Sequence, residues 1–147
     1  GKSLALAATG ADVRAHDVRP RVLQELHKRA KRADVKVSVG PPKPADVVLV
    51  DAPCSGSGRL RRDPALRLGL PLMDLGGLIK LQRGLIAQGS KLVKPGGRLV
   101  YSTCSMLSAE HHQELAGWVV EEERMLWPSQ GGTDGFHWCI WRRAGEA

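Results

Sequence analysis

The sequence predicts a doubly wound α/β sheet, and three observations carry that expectation. Short apolar runs alternate with amphipathic stretches of helical period along the chain. One run, Ala45 to Val50 (ADVVLV), is continuous and β-branched between turn signals, the mark of a strand buried on both faces of a parallel sheet. Small, turn-forming residues follow the apolar runs at Asp51 to Gly58 and precede one at Pro95-Gly96-Gly97. In such sheets ligands bind outside the carboxyl ends of the strands. Asp17, the loop Asp51 to Gly58, and Thr103 to Ser105 are therefore the positions of interest.

Taken in order, Lys2 to Ala8 reads as the opening turns of a helix and Val13 to His16 as a strand that ends at Asp17. Pro20 to Ala33 reads as a helix, with Pro20 suited to its first turn and Val22, Leu23 and Leu26 on one face. Val35 to Val39 is a short strand, after which Pro41, Pro42 and Pro44 interrupt regular structure. The Ala45 to Val50 strand follows, then the Asp51 to Gly58 loop. Asp74 to Val93 reads as a long helix, and Arg98 to Ser102 (RLVYS) as the next strand beyond the Pro95-Gly96-Gly97 turn. Ser108 is placed to cap a helix running to about Glu123, with Glu110 and Glu114 early in it, where the helix dipole favours acidic groups. Phe136 to Arg142 can form the last strand or strands. No internal repeat, low-complexity tract or linker is present.

The 147 residues suffice for one compact domain with a core, not for two. Lysine and arginine exceed acidic residues to leave a net charge of +7. Charge alone leaves a polyanionic partner and a solubilising surface equally open. No apolar run approaches the roughly 18–20 residues that span a bilayer, so no membrane partner is expected. The start, Gly1-Lys2-Ser3-Leu4, lacks signal-peptide organisation and an initiator Met, which reads as a fragment or processed chain. The three cysteines, Cys54, Cys104 and Cys139, form no Cys-x-x-Cys pair, so no metal site is expected. Their odd number, without a secretory signal, points to free thiols in a reducing, cytoplasmic compartment.

Asp17 ends a strand, where a carboxylate commonly accepts hydrogen bonds from ribose hydroxyls; a cap for the helix near Pro20 is the equal alternative. In Asp51-Ala52-Pro53-Cys54-Ser55-Gly56-Ser57-Gly58 a carboxylate and a thiol sit three residues apart after a strand. Pro53 stiffens this loop, and its glycines permit close approach of a ligand. Thr103-Cys104-Ser105 ends the next strand, so neighbouring parallel strands would bring Cys54 and Cys104 to one edge. A thiolate there is a strong nucleophile, and the helix expected near Ser108 would lower its pKa. Either cysteine taken alone is more simply a small buried apolar residue. Cys139, between Trp138 and Ile140, reads as core, and His111 and His112 read as helix surface. Basic residues gather at Arg14 to Arg32, the solvated face of a helix, and at Arg59, Arg61, Arg62 and Arg67, placed to hold nucleic-acid phosphates beside the loop.

DAPCSGSG (51–58) and YSTCS (101–105) together resemble the RNA 5-methylcytosine methyltransferases, the bacterial ribosomal RNA methylases related to the Sun/Fmu proteins. Gly1-Lys2-Ser3, Arg61-Arg62-Asp63-Pro64, Leu81-Gln82, Pro95-Gly96-Gly97 and Asp134-Gly135-Phe136 extend the likeness over nearly the whole chain. The resemblance implies a Rossmann-like S-adenosylmethionine-dependent methyltransferase fold with a mostly parallel sheet. Residues 1–147 would be a partial catalytic domain, with the glycine-rich loop and a central strand lying before Gly1 beside Ala45 to Val50. It further implies that Cys104 attacks C6 of a cytosine in RNA, that Cys54 helps release the methylated base, and that Asp51 contacts cofactor or base near N3. Gly1, Lys2, Asp17 and Asp51 would meet S-adenosylmethionine, and Arg61 and Arg62 the RNA, with no metal. This chain departs from the family at Val39-Gly40, where an acidic residue is usual, and at Glu110-His111, where Glu-Asn is usual.

Gly1-Lys2-Ser3 and VVLVD (47–51) also mimic parts of a P-loop nucleotide hydrolase, a reading that leaves both cysteine motifs unexplained. A DNA cytosine-5 methyltransferase would carry Pro-Cys-Gln where this chain has Pro-Cys-Ser. A non-catalytic RNA-binding relic is compatible with the charge.

Overall fold

A computed structural model describes residues 1–111 and 113–144. The chain divides into two compact units, residues 1–43 and 44–147.

In the first unit, helix α1 (Lys2–Ala8), strand β1 (Val13–Ala15), helix α2 (Pro20–Arg32) and strand β2 (Val37–Val39) follow in order. β1 and β2 pair in parallel, with Val13 opposite Val37 and Ala15 opposite Val39. Pro20 occupies the first turn of α2, where its missing N–H costs nothing. The inward stripe of α2 is Leu23, Leu26 and Ala30, at helical spacing, while Val22 turns outward.

The second unit holds strand β3 (Ala45–Asp51), the short helix α3 (Leu66–Gly69), helix α4 (Leu75–Ser90), and strands β4 (Val93–Thr103), β5 (Trp118–Leu126) and β6 (Phe136–Arg143). The sheet order is β3-β4-β6-β5. β3 and β4 are parallel, whereas β6 runs antiparallel to both β4 and β5. The fold is α/β as expected, and its C-terminal strands make the sheet mixed.

Asp74 caps α4 by accepting the Gly77 N–H at 2.9 Å. α4 lies against β3 and β4, and a Cβ at Gly89 would stand only 2.9 Å from Val50 Cγ2, so the helix rests on the sheet through a bare backbone. Ile86, Leu99, Tyr101, Cys139 and Trp141 form the core, which confirms Cys139 as a packing residue.

Three expectations are corrected. β3 is not buried on both faces: it is an edge strand of its sheet, and Val47 is 57% exposed. Pro95-Gly96-Gly97 lies within β4 as an irregularity, where the register passes from Ala45 opposite Val93 to Val47 opposite Arg98. The helix expected from Ser108 to Glu123 does not form. A 3-10 turn covers Ser108–Glu110, and β5 begins at Trp118. Gly117 (φ +79°) breaks the chain there, and Val119 and Val120 favour strand. The acidic run then finds cross-strand partners that a helix would not supply: Glu121 pairs with Arg98 and Arg142, Glu122 accepts from Trp138 Nε1, and Glu123 lies 2.9 Å from His137 Nε2. His111 is correspondingly buried, not on a helix surface; His112 lies outside the described residues.

Candidate active site

The site of the second unit is built at the carboxyl ends of β3 and β4. Their parallel register sets Asp51 opposite Ser102, so the loops that leave the two strands start side by side. Ala52 N–H donates to Ser102 O at 3.0 Å and carries the ladder one step further. Two residues on, the thiols meet: Cys54 Sγ and Cys104 Sγ are 3.4 Å apart. The helix expected at Ser108, whose N-terminus was to face Cys104, is a single 3-10 turn.

The pair holds its proton unevenly. The hydrogen bond from Cys54 lowers the Cys104 pKa, and the Arg59 charge adds to it, to about 6. Cys54 is pushed far up, first by that same hydrogen bond and then by burial. Cys104 is thus the more acidic sulfur of the pair and Cys54 the one that holds its proton more tightly. Arg59 reaches this region by folding back over Gly56, where a Cβ would lie 2.9 Å from its guanidinium. Gly56 itself needs φ +72°, a left-handed conformation natural to glycine.

Backbone bonds lock the loops together. Gly58 N–H donates to Cys104 O at 3.0 Å, and Gly135 N–H to Gly58 O at 2.8 Å. A Cβ at Gly58 would come within 2.1 Å of Gly135 O, so only glycine fits this crossing. Arg62 makes a forked pair with Asp134 beside it, Nε to Oδ1 at 2.9 Å. The structure therefore commits Arg62 to the start of β6, while Arg61 is exposed.

Beneath the sulfurs lies a polar cluster that sequence reasoning missed. Glu110 is fully buried and accepts from Ser55 N at 2.9 Å, Ser55 Oγ at 2.6 Å, Gln82 Nε2 at 2.8 Å and Ser105 Oγ. Burial pushes its pKa up, but the bonds from Ser105, Ser55 and Gln82 outweigh this and hold it below the ordinary carboxylate value. His111 Nε2 lies 2.8 Å from Ser105 O, and its ring stacks on His137 at 4.1 Å. The advance signals were the family's Glu-Asn pair, whose glutamate falls at Glu110, and the hydroxyls at Ser55, Ser57 and Ser105, which flank both cysteines.

A cleft of about 390 Å³ opens beside Cys54, lined also by Met73, Asp74, Gly77, Leu78 and Leu81. Its size suits a small ligand. Among the described residues no group of three or more His, Cys, Asp or Glu could hold a metal ion, and no helix is long and apolar enough to cross a membrane.

Two carboxylates are candidates to hold a cofactor. Asp51, exposed at the end of β3, accepts from Ser102 Oγ at 3.3 Å. Asp17, beyond β1 in the first unit, accepts from Arg19 N and from both arms of its guanidinium at 2.9 Å. The Arg19 side chain, with burial opposing it, lowers the Asp17 pKa to about 2, so the group is an anion at neutral pH. Oδ1 takes two of these bonds and Oδ2 one, which leaves a second lone pair on Oδ2, and Arg19 is 71% exposed and can swing aside. Gly1 precedes α1 as its N-cap, and Lys2 lies in the first turn.

Set against known proteins, residues 4–121 match the description 16S rRNA methyltransferase RsmB/F. This chain belongs to the RsmB/F family. A probable ribosomal RNA small subunit methyltransferase B of Bacillus subtilis is 33% identical over 124 residues, covering 68% of this chain and 28% of that protein. The ribosomal RNA small subunit methyltransferase B of Xylella fastidiosa is 42% identical over 115 residues, covering 66% of the chain and 27% of the relative. The chain thus spans about a quarter of these RsmB/F relatives. Among solved structures, PH0851 superposes with a TM-score of 0.80 at 28% identity, covering 90% of the chain and 37% of its own. NSun6 from Pyrococcus horikoshii with SFG superposes at 0.83 and 23% identity, covering 97% and 45%, and shows the shared fold. The RsmB/F match leaves the P-loop reading without support.

Proposed function

We propose that this RsmB/F-family protein is an S-adenosylmethionine-dependent methyltransferase acting at C5 of a cytosine in RNA, with Cys104 as nucleophile. The observation that carries the reading is the 3.4 Å contact of the Cys54 and Cys104 sulfurs at the carboxyl edge of β3 and β4, with the Cys104 pKa lowered by it.

C5 of cytosine is a poor nucleophile until a nucleophile adds at C6. The Cys104 thiolate supplies that addition without prior deprotonation. Asp51, at the same strand ends, is placed to hydrogen-bond the base edge and stabilise charge at N3 as the adduct forms. S-adenosylmethionine supplies the electrophilic methyl group. Each unit by itself offers acceptors that suit such a cofactor: in the first, Asp17 is an anionic acceptor for a ribose diol, with Gly1 and Lys2 opening α1, and in the second, Asp51 accepts amine or hydroxyl hydrogens. After methyl transfer solvent water takes the C5 proton, its bonding pair re-forms the C5–C6 double bond, and the Cys104–C6 bond breaks with return of the thiolate. Cys54 assists this step by donating to Cys104 sulfur as it departs. Arg61 and Arg59 offer cations to RNA phosphates, with Arg62 anchored to Asp134 and contributing at most its outer face. The target cytosine must be unstacked for a sulfur to reach C6.

The test is denaturing-gel trapping on 5-fluorocytosine RNA with S-adenosylmethionine, in the intact protein. Fluorine at C5 cannot leave as a cation, so the methylated adduct persists. Wild type and Cys54→Ala are expected to give an adduct and Cys104→Ala none. An adduct that depends on Cys54 instead would overturn the assignment.

A further inference from the structure

Glu110 is a buried carboxylate for which the reaction as drawn has no use. Burying a carboxylate is costly unless charge or hydrogen bonds compensate it. Among the described residues its hydrogen-bond donors are all neutral, from Ser55, Gln82 and Ser105. The identity of those donors matters. Ser55 follows Cys54 directly, and Ser105 follows Cys104 directly, so one carboxylate grips the residue next to each sulfur. Gln82 of α4 bonds both Glu110 and Pro53 O at 2.9 Å, which holds the Cys54 loop on its other side as well. Tyr101 OH fixes the Glu110 backbone by donating to its carbonyl at 2.8 Å. The hydroxyls of Ser55, Ser57 and Ser105 close a ring at 3.2 Å from one another, and Ser57 Oγ accepts the Met106 N–H at 2.8 Å.

We propose that Glu110 is a positioning residue: through Ser55 and Ser105 it clamps the two cysteine loops so that Cys54 and Cys104 stay in hydrogen-bond contact. Side-chain reach supports the choice of glutamate. Aspartate is one methylene short of spanning both serines. Glutamine reaches, but its amide nitrogen would turn a donor toward hydroxyls that now donate, so the ring would have to reverse. Cys104 holds a low pKa through its bond with Cys54, so loosening the clamp releases the thiolate toward ordinary cysteine behaviour. The inference deepens the thiol reading of the site, and its test needs neither RNA nor cofactor.

The experiment measures iodoacetamide alkylation of Cys104 against pH in the intact protein, resolved from Cys54 and Cys139 by peptide mass spectrometry. Beside it runs the rate of Cys54–Cys104 disulfide formation under diamide, which takes up the two electrons and two protons released as the S–S bond forms. Near-ultraviolet circular dichroism confirms folding. In Glu110→Asp and Glu110→Gln the midpoint of Cys104 reactivity is expected to rise toward that of free cysteine, and disulfide formation to slow by about tenfold or more. Folded variants with unchanged midpoint and disulfide rate would reduce Glu110 to a packing role and overturn the proposal. Should both Glu110 variants fail to fold, Ser55→Ala and Ser105→Ala each remove one arm of the clamp: a raised midpoint in either supports it, and wild-type profiles in both overturn it. A wild type that gives the low-pH thiol profile but no 5-fluorocytosine adduct would refute the proposed function while leaving the clamp standing.

Discussion

Asp17 and Glu110 are both carboxylates held below the ordinary carboxylate pKa beside the strands of an α/β protein, yet they are held in opposite ways. Asp17 is gripped by Arg19, two residues away, at the surface. Glu110 is gripped by Gln82 and Ser55, 28 and 55 residues away, with no exposure to solvent. The first arrangement can open, because an exposed arginine exchanges freely between a carboxylate and water. The second cannot move without unmaking several bonds at once. The comparison teaches that the region proposed to receive a ligand is adaptable, while the region proposed to break and make bonds is preorganised.

The strongest way to break the rigid region is Gly58→Ala. Its Cβ would strike Gly135 O, a backbone atom that cannot rotate away, so stability should fall by about 3 kcal/mol, read as a lower urea midpoint. Gln82→Ala should cost less, about 1–3 kcal/mol in the same measurement, since Pro53 O and Glu110 each lose a donor. Arg59→Ala should leave stability near wild type and act on the sulfur. Removing a cation disfavours the thiolate, so the Cys104 midpoint should rise from about 6, slowing alkylation at pH 7 but not at pH 10. The sign also applies to folding. A thiol whose folded value lies below the unfolded one adds stability that is full above the ordinary cysteine range and fades as pH falls through about 6. The smallest expected effect on stability is at the adaptable site. Asp17→Asn should leave the thermal midpoint unchanged within scatter, because an exposed pair contributes little, while weakening S-adenosylmethionine binding measured by calorimetry in the intact protein. Unchanged cofactor affinity would remove Asp17 from the proposed site.

The same contrast explains what could be read in advance. Elements with a local signature were legible: α1 over Lys2–Ala8, α2 from Pro20, α4 from its Asp74 cap, and β6 from its apolar run. So were the two cysteine loops, since each follows a strand that the pattern of apolar residues marks. The segment from Ser108 to Glu123 was not. Its Ser cap and early glutamates satisfy every local rule for a helix, yet Glu110 is drawn inward by serines of another loop and Glu121 to Glu123 outward to partners on β4 and β6. His111, taken for surface, went inward with Glu110.

By itself the sequence determined the α/β alternation, the starts of α1, α2 and α4, and the placing of Asp51, Cys54 and Cys104 at or just beyond strand ends, because these depend on periodicity, capping and turn chemistry within a few residues. Only the tertiary structure decided that Cys54 and Cys104 touch, which of them keeps the proton, and that Glu110 lies buried beneath both. Those outcomes rest on strand register and on hydrogen bonds between residues dozens of positions apart, and no local pattern encodes a partner that the fold alone brings near.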